Sequence, residues 1–434
     1  MRNIAFQLTI ALFFISFTKG IWELLGINES MVQLIIDFII ISIFFISLIF
    51  ITQKKSMVAP GFKIISTFFI IVVISYLLNN VTTTHLILFL RKFFIYVIFF
   101  YSIINIDFNE IQKNNILKLL IVLFTIQVLA AFIKLIVLGG TQEKIVGTIS
   151  VMEGSLATIM PLLAISFLIS MYLFKKRIIY IVYTLLFMAI GLISNKLGIL
   201  FYIFILFIIL TFLYTKKLTN SNLFNLPFLL YMSKIGFYLV VIFGLFVSLN
   251  PRANPENKVG GSIDIEYLSK YTEDYNTLQL KGSRVEADGR ADAPGVALTK
   301  LSNGGLFNLI LGYGPGDIVQ SSLLKYENPL LEKYNMGYGA RLGQVWILMQ
   351  LGLLGLVVFA MYHIYIFKCL YNNFMSNNLN QEKNIILLGI LGISIIFFMD
   401  FFTYSSQILY SPGVTLLYYY CIYHGLTITK KEII

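Results

Sequence analysis

Charge is the scarcest resource in this 434-residue chain: Asp, Glu, Lys and Arg make up 12% of it, against 58% hydrophobic residues. With 39 Phe, 26 Tyr and a mean hydropathy of +0.84, a soluble core is excluded, because no soluble fold has enough interior to hide that much apolar surface. There are two cysteines, Cys369 and Cys421. Both fall in or beside apolar runs, which excludes a disulfide framework and a CxxC metal pair. Dyad alternation is missing as well, and with it the signature of a transmembrane β-barrel. Three histidines, His85, His363 and His424, leave little to build a zinc site from.

What is present is a series of apolar runs of roughly 17 to 25 residues, the length a helix needs to cross a bilayer. The expected fold is an all-α polytopic integral membrane protein. About twelve spans are predicted, near 4–18, 32–52, 62–79, 85–104, 116–138, 155–174, 178–193, 197–214, 228–249, 345–367, 385–402 and 408–426. The first run, "MRNIAFQLTIALFFISF", is read as a span rather than a signal peptide, since no small-residue cleavage site follows it. Basic clusters at 53–55, 175–177, 215–217, Lys368 and 429–431 all land on one side if both termini are cytoplasmic, as the positive-inside rule requires. The net charge of +11 is then mostly membrane anchoring, and no nucleic-acid partner is expected.

One segment interrupts the spans. Residues 251–344 form a hydrophilic loop between spans 1–250 and spans 345–434, expected to be partly helical and on the outer face. It carries 11 of the 21 acids and packs Arg284, Glu286, Asp288, Arg290 and Asp292 into nine residues. A helix is predicted over "SIDIEYLSKYTEDYNTLQLK", with Tyr267, Tyr271 and Tyr275 on one face. That face suits sugar rings, although such a stripe more often packs against the membrane domain. Glycines 312, 314 and 316 form a loop whose amides could cradle an anion, or a turn with no ligand. A Walker A reading is excluded, for no Gly-Lys-Ser/Thr follows. Lys19, Arg91, Lys92, Lys134 and Lys196 fall in the outer halves of the spans, where cations are normally avoided. A charge at such depth costs about 1–3 kcal/mol and is retained for a partner. For Arg91 that partner is an acid such as Asp37 or Asp400, or else an anionic lipid headgroup.

The large loop with Gly289-Arg290, the "LGYGPGD" at Leu311–Asp317 and the "QLGLLGLV" at Gln350–Val357 together resemble the bacterial O-antigen polymerase and ligase superfamily. "VGTISVMEGSLATIMPLL" (Val146–Leu163) and "LISNKLGIL" (Leu192–Leu200) fall where that family has its Gly-Thr and Ser-Arg-Gly span starts. In the resemblance Arg290 takes the place of the loop arginine, and Gly312, Gly314 and Gly316 that of the glycine loop. Arg284 and Gly295 also fit an Arg-x10-Gly pattern. Ligases carry a His eleven residues before the Gly of the "GLLG" element. Here that position is Arg341, and the acid expected two residues before the Gly is Gln350, which favours a polymerase.

The resemblance implies transfer of a glycan from polyprenyl diphosphate to a sugar hydroxyl of a second lipid-linked unit. Its partners would be the polyprenyl-diphosphate-linked oligosaccharide, membrane lipid and a chain-length regulator protein. Arg290, Arg284 and Arg341 are the expected loop side of a diphosphate clamp, Arg91, Lys196 and Lys134 the membrane side. Asp288, Asp292 or Asp317 would deprotonate the acceptor. His85 is a further candidate base, whereas His363 and His424 read as structural. No cofactor or metal is implied, since no carboxylate cluster with Mg²⁺ spacing is evident. A ligase, a flippase or other transporter, and a mannosyltransferase-type enzyme remain as alternatives; the last lacks its acidic pair, having only the separated Glu23 and Glu29 in the first loop.

Overall fold

The computed structural model describes residues 1–54, 57–138, 145–151, 153–194, 196, 198–219, 254–258, 260–277, 289–319, 329–336, 340–376 and 379–428, with a few positions between 229 and 247. The protein is an all-α membrane protein, and no strand occurs among the described residues. Its described helices are α1 Arg2–Phe17, α2 Lys19–Leu24, α3 Glu29–Lys54, α4 Phe62–Leu78, α5 Thr83–Ile106, α6 Glu110–Leu138, α7 Leu156–Lys175, α8 Ile179–Ile193 and α9 Gly198–Thr219. They continue as α10 Ile265–Thr277, α11 Ala293–Asn303, α12 Leu306–Leu311, α13 Pro329–Tyr334, α14 Gly343–Met375, α15 Gln381–Thr403, α16 Gln407–Tyr410 and α17 Pro412–Thr427. Seven of these are long and apolar enough to span a membrane: α3, α5, α6, α7, α9, α14 and α15. Three more, α1, α4 and α8, are shorter and apolar. The predicted span at 228–249 lies largely outside the described residues.

Helices form here because lipid offers the backbone no partner, so each apolar run must satisfy its own N–H and C=O groups. α7 and α15 lie at the centre, with 72% and 78% of their apolar stretches buried, whereas α6, at 28%, runs along the outside. The two central helices meet through small residues. The Ser166 hydroxyl donates to the Gly389 carbonyl at 2.5 Å, and any side chain at Gly392 would collide with that same hydroxyl. Such close approach of backbones is how apolar helices associate where the hydrophobic effect gives no help.

The bundle has two chemically different ends. At one, lysines bind helix carbonyls and rings: Lys54 donates to the Asn105 carbonyl, Lys113 lies near Asp107, Lys217 donates to the Phe374 and Ser376 carbonyls, and Lys176 lies over the Tyr214 ring. Of the clusters predicted to share a side, those at 53–55, 175–177 and 215–217 lie at this end, which we term the basic end, while 429–431 lies outside the described residues. The opposite end is held by α2, the 145–155 segment, α11, α12 and the 404–410 turn.

The glycine loop is spliced into a break in α14. Gly352 has φ 65° and ψ −168° inside that helix, a region that only glycine adopts readily. The break frees the carbonyls of Met349 and Gln350, which accept from the amides of Tyr313 and Gly314. The Gln350 side chain accepts from the Gly316 amide at 2.7 Å. Ser75 of α4 closes the joint by donating to the Leu311 carbonyl. Gly312 donates to Asn308. All three glycine amides are therefore occupied by protein acceptors, so the loop joins helices rather than cradling an anion.

A methyl group at Gly316 would collide with the His85 backbone, and one at Gly352 with that of Ile310. Gly316→Ala and Gly352→Ala are each expected to cost at least about 3 kcal/mol, strain plus overpacking. Gly26→Ala, at positive φ but with nothing within 4 Å, should cost about 1 kcal/mol. Thermal unfolding of the three variants in one detergent checks the order.

Candidate functional site

The site is built from segments that interrupt the helices at the end opposite the basic one. Gln127 of α6 grips Thr148: its amide oxygen accepts from the Thr148 N–H at 2.6 Å and its amide nitrogen donates to the Thr148 hydroxyl at 2.7 Å. Thr148 in turn donates to the Phe17 carbonyl and accepts the Gly20 N–H. This lock joins the 145–155 segment to the corner between α1 and α2. Lys134 straps the segment down by donating to the carbonyls of Val146, Gly147 and Ser150. It is a structural tie, which corrects its expected place in a clamp.

Lys19, 5% exposed, sits under that corner with its ammonium 2.5 Å from the Glu29 carboxylate and 3.7 Å from Glu23. Glu153, half-buried in the turn before α7, is held within the electrostatic reach of Lys19, Glu29, Glu23 and Lys92. Burial pushes its carboxyl above the ordinary value, and Lys19, pulling the other way, does not cancel the rise. For Lys19 burial pulls down, but Glu153, Glu29 and Glu23 more than offset it, so the ammonium is held above its usual range. Among the described residues the Glu153 carboxylate makes no hydrogen bond or ion pair.

Besides Lys19, one cation reaches this acid, Lys92 of α5, and two arginines, Arg341 and Arg290, stand at the same end of the bundle. Lys92 of α5 lies with its ammonium 4.7 Å from the Tyr410 ring centre, and within reach of Glu153, Glu29, Lys19 and Arg341. Tyr410 is fixed edge-on by Trp346, which stacks on Phe89. Arg341, exposed just before α14, acts on both Lys92 and Tyr410. Arg290 lies 4.6 Å over the Tyr404 ring and within reach of Asp400. The Tyr404 hydroxyl meets Thr158 of α7 at 2.9 Å. Gly198 packs against the same Tyr404 ring, which brings the turn holding Lys196 to this end.

The 404–410 turn completes the wall. Asp400 is fully buried and accepts from the N–H groups of Ile408, at 2.8 Å, and Ser405, at 3.3 Å. Ser406 is held at φ 55°, an uncommon conformation for a residue with a side chain. The hydroxyls of Ser405 and Ser406 and the side-chain oxygen of Gln407 are buried with no partner among the described residues. Gln407 donates to the Ser155 hydroxyl at 2.6 Å, two residues from Glu153.

The other expected site residues separate into groups. Arg91 belongs to an ion pair with Asp37, Nε to Oδ2 at 2.5 Å, and Gln33 donates to the second oxygen of that carboxylate. It is therefore corrected from clamp to structural partner. Both oxygens of Asp317 are engaged, one by Lys333 at 2.7 Å and one by the Tyr334 hydroxyl at 2.5 Å, which removes it as a ready base. Burial and then the Asp317 charge keep the Tyr334 phenol protonated well above its usual range. His85, beside this pair, meets the Thr82 hydroxyl at 2.6 Å. His363 and His424 are buried within the bundle, as their structural reading expects. Asp292 is exposed at the start of α11. Tyr267 is half-buried on α10. Arg284, Asp288 and the side chain of Tyr271 lie outside the described residues.

Lys92 and Glu153 were the residues the expected site lacked. Lys92 was visible as a cation deep in a span, but the apolar surface of α5 gives no phase to choose it over Arg91. Glu153 had a signal too: it is an acid directly ahead of an apolar run, inside the quoted Gly-Thr segment. No protein-family model matches the chain, and no curated protein is significantly similar to it.

Arg91 and Lys92 should behave oppositely in stability measurements. Arg91→Ala and Asp37→Ala are expected to be non-additive by about 1–2 kcal/mol, as for charged side chains in direct contact. Lys92→Ala, which gives up a cation–π contact and longer-range attraction but breaks no contact ion pair, should cost under about 1 kcal/mol. Double-mutant cycles from unfolding in detergent provide the check.

Proposed function

We propose that the protein polymerises lipid-linked saccharide repeat units at the outer face of a bacterial cytoplasmic membrane, moving a glycan from polyprenyl diphosphate to a hydroxyl of another unit. The observation that carries this reading is that Lys92 lies within reach of both Glu153 and Arg341, with Arg290 held over Tyr404 at the same end, opposite the basic clusters. A twelve-span arrangement with both termini cytoplasmic puts that end outside and follows the positive-inside rule.

The chemistry suits the groups. Departure of a lipid diphosphate builds negative charge, and preorganised cations in a water-poor cleft lower the barrier by stabilising that charge. Arginine adds a planar fork matched to phosphate oxygens. The partnerless oxygens at Ser405, Ser406 and Gln407 suit a ligand rich in hydroxyls. Arg341, standing where a ligase has its histidine, supports polymerase over ligase. A flippase would use the same cations without needing a carboxylate among them.

Lys92→Ala, Arg341→Ala and Arg290→Ala are each expected to lose about 10²-fold or more in turnover. Arg290→Lys should stay poor because a point charge cannot reproduce the fork. Reconstituted protein given lipid-linked units should yield a ladder of products, and EDTA should leave the ladder intact. Movement of the units across the vesicle membrane with no ladder would instead support the flippase.

A further inference from the structure

We propose that Glu153 is the general base of this transfer, taking the proton of the acceptor hydroxyl. The role rests on the polymerase reading above. It is also narrower than that reading, because the cations could serve it with a different base.

Every other acid placed near the site among the described residues is committed or misplaced. Glu29 and Glu23 are turned to Lys19. Asp37 holds Arg91. Asp400 is sealed at 0% exposure by backbone amides. Asp317 is bound by Lys333 and Tyr334, and Asp292 is exposed at the surface. Among the described acids Glu153 alone combines partial burial, a carboxylate with no bond to another described residue, and cations on two sides. Lys19 of α2 and Lys92 of α5 both act on it.

A second observation points to the acceptor. Gln407, hydrogen-bonded to Ser155 two residues from Glu153, keeps a buried side-chain oxygen with no partner among the described residues, as does Ser406 beside it. Such acceptors are costly to bury unsatisfied and suit the donating hydroxyls of a sugar.

The step balances as follows. The acceptor O–H proton passes to a Glu153 oxygen as the acceptor oxygen bonds to the anomeric carbon. The bond from that carbon to the diphosphate oxygen breaks, and the lipid diphosphate leaves with the electron pair against Lys92, Arg341 and Arg290. Glu153 then returns its proton to water. A base must be ionised to act, so turnover is lost as pH falls through the Glu153 pKa, which burial places above the ordinary carboxylate range. Four charged groups face it and set that value: Lys19 and Glu23 on α2, Glu29 on α3 and Lys92 on α5.

The test uses the full-length protein in vesicles with lipid-diphosphate saccharide extracted from cells deleted for its gene. Glu153→Gln should lose at least 10²-fold in kcat, with the donor KM within about threefold of wild type, since the donor's phosphates meet the cations and not this acid. Glu153→Asp should keep an intermediate rate and show a displaced acid limb in its pH profile. Glu153→Gln within threefold of wild type in kcat would overturn the base while leaving the polymerase standing. Should Glu153→Gln fail to accumulate, a wild-type rate and pH profile for Glu153→Asp would overturn the role equally. Wild-type protein that forms no polymer from this donor would overturn the polymerase reading, and the base with it.

Discussion

Inside a bilayer a backbone that leaves the helix must find its partners within the protein. The architecture of the site end follows from that constraint. Each departure from helix there is matched by a polar group supplied from a neighbouring element. Gln350 and the carbonyls freed at Gly352 receive the glycine loop. Gln127 and Lys134 receive the 145–150 segment, and Asp400 receives the 405–408 turn. Remove the stitching group and a buried N–H or C=O is left bare, at about 1–3 kcal/mol apiece. Two of these irregular segments lead into Glu153 and carry the Ser406–Gln407 wall, so the bonds that satisfy the backbone also fix where those groups stand.

Charge follows a similar economy of place. The chain holds few ionised groups in its spans, and they fall into two kinds. Arg91 with Asp37 forms a contact pair that joins α5 to α3. Lys92, one residue on, meets an aromatic ring and the longer-range field of two acids and two cations, Glu153, Glu29, Lys19 and Arg341. A contact ion pair satisfies itself and has little left to offer a ligand. A lysine over a ring keeps hydrogen-bond donors in hand, because the ring face accepts charge but takes no directed proton. Neighbouring cations in one helix thus differ: one is spent in an ion pair and the other rests on a ring.

The aromatic residues supply rigidity for that division. Trp346 is stacked on Phe89 and edge-on to Tyr410, while Tyr404 is held by Tyr202 and Thr158. Both rings that meet a site cation are thereby fixed. With so much aromatic surface in one interior, rings pack edge-to-face and offset, which sets their orientation as well as their place.

Helical class and the end on which the lysines gather were legible in the residues themselves, since apolar run length and basic punctuation act locally and need no knowledge of packing. The glycine loop was read correctly as a special backbone, yet whether its amides meet an anion or Gln350 depends on a break in a helix 36 residues further along the chain. Choosing between Arg91 and Lys92 needed the rotational phase of α5, and a helix apolar on every face carries no moment from which to read it. Glu153 was passed over because acidity was sought where acids are dense, in the long loop. A carboxylate becomes a candidate base through what surrounds it and what fails to bind it, and those are relations between α2, α3, α5 and the 145–155 segment that only tertiary packing creates.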